Sequence, residues 1–252
     1  MHKTANRGAL VVTGGSRGIG AAVARLAGSR GYRVAILYRE RESAAMTVVA
    51  DVEAAGSEAL AVRCDIGNEA EVVGAFDAAA TRFGGIAGLV NNAGITGGMS
   101  KVADLTATTL EEVCRINIVG AFLCARESVR RMSTRRGGKG GAIVNVSSLA
   151  ARTGTPNVWI HYAATKGAVD TMTVGLAKEV AADGIRVNAV RPGLIETDIH
   201  IGRDPDQLAR TLQMVPIGRM GQPDEIAAVV LWLLSDESNY VTGALVDAGG
   251  GL

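Results

Sequence analysis

A tyrosine and a lysine stand four residues apart in the run Tyr162-Ala163-Ala164-Thr165-Lys166. On a helix, that spacing puts both side chains on one face. A phenol with its ordinary pKa of about 10 is a poor base at neutral pH. An ammonium group beside it favours phenolate and lowers that value by roughly 1–3 units. Such a pair can hand a proton to a nascent alkoxide or take one from an alcohol. Taken alone, the same residues also fit a half-buried helix tyrosine and a solvated lysine. A hydroxyl aimed at the oxygen where negative charge grows would strengthen the catalytic reading. Ser148 is the first choice for that hydroxyl, and its neighbour Ser147 is the alternative. His161 precedes Tyr162 directly, so on a helix it points elsewhere, which suits a structural or substrate-contact role.

A second group able to do chemistry lies near the start, in Thr13-Gly14-Gly15-Ser16-Arg17-Gly18-Ile19-Gly20. Glycines here let the backbone turn sharply and bring main-chain N–H groups close to an anion such as a pyrophosphate. The element before it, Ala9–Thr13, is continuously apolar and reads as a buried strand. The element after it is a helix from about Ile19, whose Ile19, Val23 and Leu26 share a face and whose dipole adds positive potential at the loop.

Those elements belong to a repeated pattern. Further strands are expected at Arg33–Tyr38, Ala59–Cys64, Ala87–Asn91, Ala142–Val146, Ile185–Val190 and Ala244–Asp247. Helices are expected at Ser43–Ala55, from Asn68 (with Glu71 completing a capping box), at Thr109–Met132, Ile160–Ala182 and Asp224–Leu234, the last opened by Pro223. Continuously apolar strands are buried on both faces. Strand–helix alternation throughout predicts an α/β fold: a doubly wound, seven-stranded parallel sheet with helices on both faces, Rossmann-like. One domain spanning 1–252 is expected, with a substrate lid at 193–214 inside it.

Bulk composition narrows the function. Hydrophobic residues make up 48% and charged residues 20% of 252, as in a soluble globular protein. Lysine plus arginine total 26 against 25 acidic residues, so no global field recruits nucleic acid or a membrane. Glycine is abundant at 33 residues and sits at the ends of apolar runs. Cys64, Cys114 and Cys124 are too few for a disulfide framework, and no metal is expected. Met1–Leu10 lacks a signal-peptide stretch, and Ile226–Leu234 is too short to span a bilayer, so a cytoplasmic protein is expected. The cations of 130–141 (Arg130, Arg131, Arg135, Arg136 and Lys139) read as a solvated loop, with a phosphate-recognising patch as the alternative.

Taken in order, the motifs resemble those of the short-chain dehydrogenase/reductase family. Thr13–Gly20 looks like its TGxxxGxG motif and Asn91-Asn92-Ala93-Gly94 like its NNAG segment. Asn117, Ser148, Tyr162 with Lys166, and Pro192-Gly193 follow in the family's sequence. The resemblance covers essentially the whole chain. It implies an oxidoreductase moving a hydride between a nicotinamide cofactor and a carbonyl or secondary alcohol. Asn117, Ser148, Tyr162 and Lys166 would be catalytic, with Lys166 also holding the nicotinamide ribose and Asn117 anchoring a proton-relaying water. The oxidised nicotinamide would push the Tyr162 pKa down further. Cofactor contacts are expected from Gly14, Ser16, Arg17, Gly18, Ile19 and Gly20 in the loop. Asp65 and Ile66 would hold the adenine, and Asn92, Ala93 and Gly94 would line the centre. Pro192, Gly193, Ile195 and Thr197 would lie at the nicotinamide end.

Strand two ends Leu37-Tyr38-Arg39-Glu40. Arg39 with Arg17 could grip a 2′-phosphate bidentately, whereas Glu40 would repel it. NADP is therefore preferred, with NAD possible. The substrate pocket is expected from Ile95–Met99, Arg152–Ile160 and the lid, read as a mobile loop bearing Leu194, Ile199, His200, Arg203, Asp204 and Leu208. The family's enoyl reductases space tyrosine and lysine more widely, which disfavours C=C reduction. Glucose-dehydrogenase-like and oxoacyl-reductase-like bacterial members are the most similar in character. Apolar Phe122, Leu123, Met172 and Leu176 predict pairing across a two-fold axis and, by resemblance, a homotetramer. The rival reading is a cofactor-binding sensor that performs no chemistry on an NADPH it holds.

Overall fold

Residues 8–198 and 205–252 are described by the computed structural model of the chain. Seven strands form one parallel sheet: β1 (Ala9–Thr13), β2 (Arg33–Tyr38), β3 (Ala59–Arg63), β4 (Gly88–Asn91), β5 (Gly141–Val146), β6 (Ile185–Pro192) and β7 (Leu245–Ala248). Their spatial order is β3-β2-β1-β4-β5-β6-β7. The chain builds outward from β1 to β3 and then crosses back to β4. Neighbouring connections therefore leave in opposite directions between β1 and β4, which opens a crevice at the carboxyl ends of those strands.

The sheet is apolar on both sides because both sides are covered. Leu10, Val12, Val34 and Ile36 face α1 (Gly18–Ser29), α2 (Glu42–Ala54) and a helix near the C-terminus. Their neighbours Val11, Ala35, Leu37 and Leu89 face α3 (Glu69–Phe83) and the helices that follow it. Successive side chains of a strand point to opposite faces, so an uninterrupted apolar run feeds two cores at once.

Most predicted boundaries move by only one or two residues. The largest revision falls at Thr109–Met132. In place of one helix there are α4 (Ala107–Cys114), a π-helical turn over Arg115–Gly120, and α5 (Ala121–Met132). The single extra residue of a π turn is too short a disturbance for apolar periodicity to separate from a continuous helix. The expected capping box at Asn68 is half formed. The Asn68 side chain accepts from the Ala70 and Glu71 N–H groups, but the Glu71 carboxylate accepts from the Asp65 N–H and the Asn68 amide.

The arginines at the end of α5 and just beyond it are largely held in ion pairs. Arg126, Arg130 and Arg131 converge on the buried Glu127, and Arg135 pairs with Asp183. Three of the five cations of 130–141, Arg130, Arg131 and Arg135, are thus committed to carboxylates, against the phosphate-patch alternative. The remaining helices are α6 (Ala150–Thr153), α7 (Ile160–Val180), α8 (Pro205–Gln213) and α9 (Pro223–Leu234). α8 falls in the segment read as a loop. Pro205 at its start and Asp206 in its first turn are the signals that mark it. Ile199, His200, Arg203 and Asp204 of the expected lid lie outside the described residues.

Candidate active site

The glycine loop is fixed from beneath by β4. Thr13, wholly buried at the end of β1, accepts hydrogen bonds through its hydroxyl from the Asn92 and Ala93 N–H groups at 2.9 and 3.0 Å. The Asn92 side chain donates in return to the Thr13 carbonyl at 2.9 Å. The two strand ends on either side of the crevice are thereby locked together. In the sequence Thr13 is only the first residue of a motif; its place at this join depends on β1 and β4 being neighbours. Above it, no side chain caps the N-terminus of α1 and no acidic residue occupies its first turn. The first-turn N–H groups and the positive end of the dipole therefore open on the crevice. Gly20 has no room for more: a Cβ there would collide with the Gly14 carbonyl oxygen and the Asn92 amide.

The cleft over this loop has a volume of about 970 Å³ and continues to Tyr162. Gly14, Ser16, Arg17, Gly18 and Ile19 line its floor, whereas Gly20 lies beneath and shapes the turn. At one end stand Arg39, Glu40, Arg41, Asp65 and Ile66. Asn92, Ala93 and Gly94 occupy the middle, and Pro192, Gly193, Ile195 and Thr197 border the far side.

Tyr162, Lys166, Ser148 and Asn117 come together at that inner end. Tyr162 is buried on α7 and hydrogen-bonds with Ser148, which also accepts from the Ala150 N–H at 3.1 Å. Ser147 points away and donates to the Lys166 carbonyl at 3.3 Å. Of the two adjacent hydroxyls, Ser148 is the one beside the phenol. The Lys166 ammonium donates to the Val146 carbonyl at 2.7 Å and lies 5.6 Å from the centre of the Tyr162 ring.

The pKa directions correct the expectation of an acidified tyrosine. Burial pushes the Tyr162 phenol up to about 12, and the Ser148 hydrogen bond offsets only part of this. Burial likewise pushes Lys166 down to about 8, against the pull of Asp170. Losing water costs each group its charged form, and here that outweighs the neighbours. The ammonium donates to the Val146 carbonyl and not to the phenol oxygen, so proximity along the helix does not become a hydrogen bond.

Asn117 sits in the π turn with its amide fully engaged. It accepts from the Ile95 N–H at 2.9 Å and donates to the Ile95 carbonyl at 2.8 Å and the Thr165 hydroxyl at 3.0 Å. This ties the loop after β4 to α7. His161, buried beside Tyr162, bonds the Thr96 carbonyl at 2.7 Å through Nε2, which is a structural task on that same loop.

At the outer end the guanidinium groups are paired differently from the expectation. Arg17 and Arg41 share one Asp198 oxygen at 3.0 and 3.1 Å, while Arg39 folds onto Glu40 at 2.6 Å. Nothing in the sequence distinguishes Arg41, which lies beyond the strand end in a charged run. Asp65 lines the cleft, but its carboxylate accepts from Arg115 at 3.1 Å and from the Gly67 N–H at 2.9 Å.

The wall near Tyr162 is formed by Ile95, Thr96, Val158, Trp159, Thr211 and Met214 among others. Trp159 meets the Tyr162 ring edge-on at 6.3 Å. Of the apolar residues expected to pair subunits, Phe122 is half exposed, but Met172 is buried against Ala121 and Val169 of its own chain.

The chain is similar to known proteins along nearly its whole length. A family model described as "Enoyl-(Acyl carrier protein) reductase" matches residues 14–252. The "Uncharacterized oxidoreductase YgfF" of Escherichia coli K12 is 48% identical, over 96% of this chain and 98% of its own length. A "3beta-hydroxysteroid dehydrogenase 1" of Eggerthella lenta is 38% identical over 96% and 92%. A crystal structure of a short-chain dehydrogenase from Burkholderia cenocepacia in complex with NADP superposes with a TM-score of 0.91. It is 33% identical and covers 98% of both chains.

Proposed function

This chain belongs to the short-chain dehydrogenase/reductase family of oxidoreductases, and on that premise we propose that it interconverts a carbonyl and a secondary alcohol using NADP(H). The observation that carries the proposal is the hydrogen-bonded Tyr162–Ser148 pair, with Lys166 against the phenol ring, at the inner end of a cleft that begins at the uncapped end of α1.

The residues fit a nicotinamide dinucleotide. An anion meets free helix-end donors over glycines that cannot carry side chains, and Arg17, Arg39 and Arg41 gather where a 2′-phosphate would need cations. When bound, the cofactor supplies or accepts the hydride. The protein does the rest. Ser148 holds the substrate oxygen, and Tyr162 gives it a proton in reduction or removes one in oxidation. A phenol kept protonated by burial suits the reductive direction. Lys166 would hold the nicotinamide ribose and keep positive charge under the phenol. Asn117 fixes the wall between the loop after β4 and α7, with its amide already spent on Ile95 and Thr165. Residues 193–214, including α8, would close over the substrate and exclude water. A single domain and a homotetramer complete the proposal, with exposed Phe122 at a subunit contact.

The test is NADPH consumption against a panel of ketones, aldehydes, sugars and quinones, with Tyr162→Phe as control. Turnover that survives this substitution would overturn the acid–base assignment. The description of the matching family model favours one second reading, reduction of a C=C bond. Enoyl thioesters added to the panel separate the two. Tight NADPH binding without turnover on any of these would instead support a sensor.

A further inference from the structure

Asp170 follows Lys166 by one helical turn on α7, in the series Tyr162, Lys166, Asp170, so the three share a face. Its carboxylate is nine-tenths buried. One oxygen is held by Arg191 of β6, whose Nε and Nη2 both approach it at 2.9 Å. The other, Oδ1, is buried with no hydrogen-bond partner. Arg191 also reaches Asp247 of β7 at 3.4 Å, and Asp247 pairs with the exposed Arg152. A line of alternating charges thus runs from the catalytic lysine to the protein surface.

Stability does not account for this arrangement. A buried ion pair contributes little net free energy compared with apolar side chains of the same size, and a carboxylate oxygen left without a donor is a cost. The charge itself is the useful property. The groups around the Lys166 ammonium are the Val146 carbonyl, the Tyr162 ring, Gly94 and, across Gly94, the Asn117 amide. Among the described residues, Asp170 is the carboxylate whose field reaches that ammonium.

We infer that Asp170 is a positioning residue of the active site: oriented by Arg191, its buried carboxylate keeps Lys166 in the ammonium form that the proton-transfer step requires. The inference rests on the proposed role of Lys166. Burial drives the lysine toward neutrality, to about 8, and Asp170 opposes that drift. Arg191 competes for the same carboxylate and so limits how strongly it acts. The sign follows directly. Removing the negative charge lowers the Lys166 pKa, and removing its competitor Arg191 raises it.

The chain has five lysines, so the side-chain ammonium signal of Lys166 can be followed by NMR in protein without cofactor. The expected midpoint is near 8 in the native chain. It should fall by about one unit in Asp170→Asn and rise in Arg191→Gln. The alkaline limb of kcat for reduction should move with it, giving Asp170→Asn up to about tenfold lower kcat above the limb while the acidic plateau is kept. Melting curves establish that each variant folds. Should Asp170→Asn not fold, the upward shift in Arg191→Gln carries the test. A Lys166 midpoint unmoved in folded Asp170→Asn, or shifted the same way in both variants, overturns the inference. The expected opposite NMR shifts without any turnover would support it while counting against the hydride-transfer reading.

Discussion

The two ends of the cleft are built on opposite principles. At the inner end, Tyr162, Lys166 and Asn117 are buried, and each polar group is fixed by a neighbour. At the outer end, Arg17, Arg39 and Arg41 are about half exposed and pair with equally exposed carboxylates. Burial multiplies the effect of every charge and forbids rearrangement. That serves proton transfer, where a misplaced donor costs rate. Exposed ion pairs are worth little on their own and exchange partners cheaply. That suits the proposed grip on a 2′-phosphate, which would have to displace Asp198 or Glu40. One cleft therefore holds a preorganised half and an exchangeable half.

Changes at the buried end should be severe and confined to chemistry or architecture. Tyr162→Phe is expected to lower kcat by at least about 100-fold, while NADPH affinity measured by fluorescence titration stays close to native. A large loss of affinity instead would place Tyr162 in binding rather than catalysis. Gly20→Ala forces a methyl group into the Gly14 carbonyl and the Asn92 amide. NADPH affinity should fall by well over tenfold, because a shift of even a few tenths of an ångström spoils the aligned helix-end donors. Near-native affinity would mean that the loop is as adaptable as the outer end.

Changes at the exposed end should be smaller and should depend on salt. Arg39→Asp is expected to move the NADP/NAD preference toward NAD by about tenfold or more, on the order of one charge-assisted hydrogen bond. An unchanged ratio of kcat/KM values would remove Arg39 from phosphate recognition. The smallest effect belongs to Asp198→Asn, which removes the anion shared by Arg17 and Arg41. NADPH should bind roughly two- to fivefold tighter at low salt, with the gain fading as ionic strength rises. Weaker binding would show that Asp198 organises the two guanidinium groups instead of competing for them.

Much of the fold was legible along the chain, because a strand covered on both faces must be apolar throughout and glycines must stand where backbone turns under a ligand. The seven strands, the loop Thr13–Gly20 and the pairing of Tyr162 with Lys166 on one helix face are local properties of this kind. What the linear order hides is which groups meet. Thr13 joins Asn92 across 79 residues only because β1 and β4 become neighbours. The π turn that delivers Asn117 to Ile95 is too brief for periodicity to show, and Pro205 and Asp206 are the only start signals of α8 in a segment otherwise loop-like in sequence.

The sequence by itself determined the α/β layering and the residue types at the cleft, since both follow from hydrophobic pattern and backbone sterics. Tertiary structure alone decided the proton affinities and partners of those residues. Desolvation raises Tyr162 and lowers Lys166, and contacts from distant strands set Asp170 against Arg191 and Asp198 between two arginines. Solvation and Coulomb energy depend on what surrounds a group in space, and neighbours in space are what a linear chain does not state.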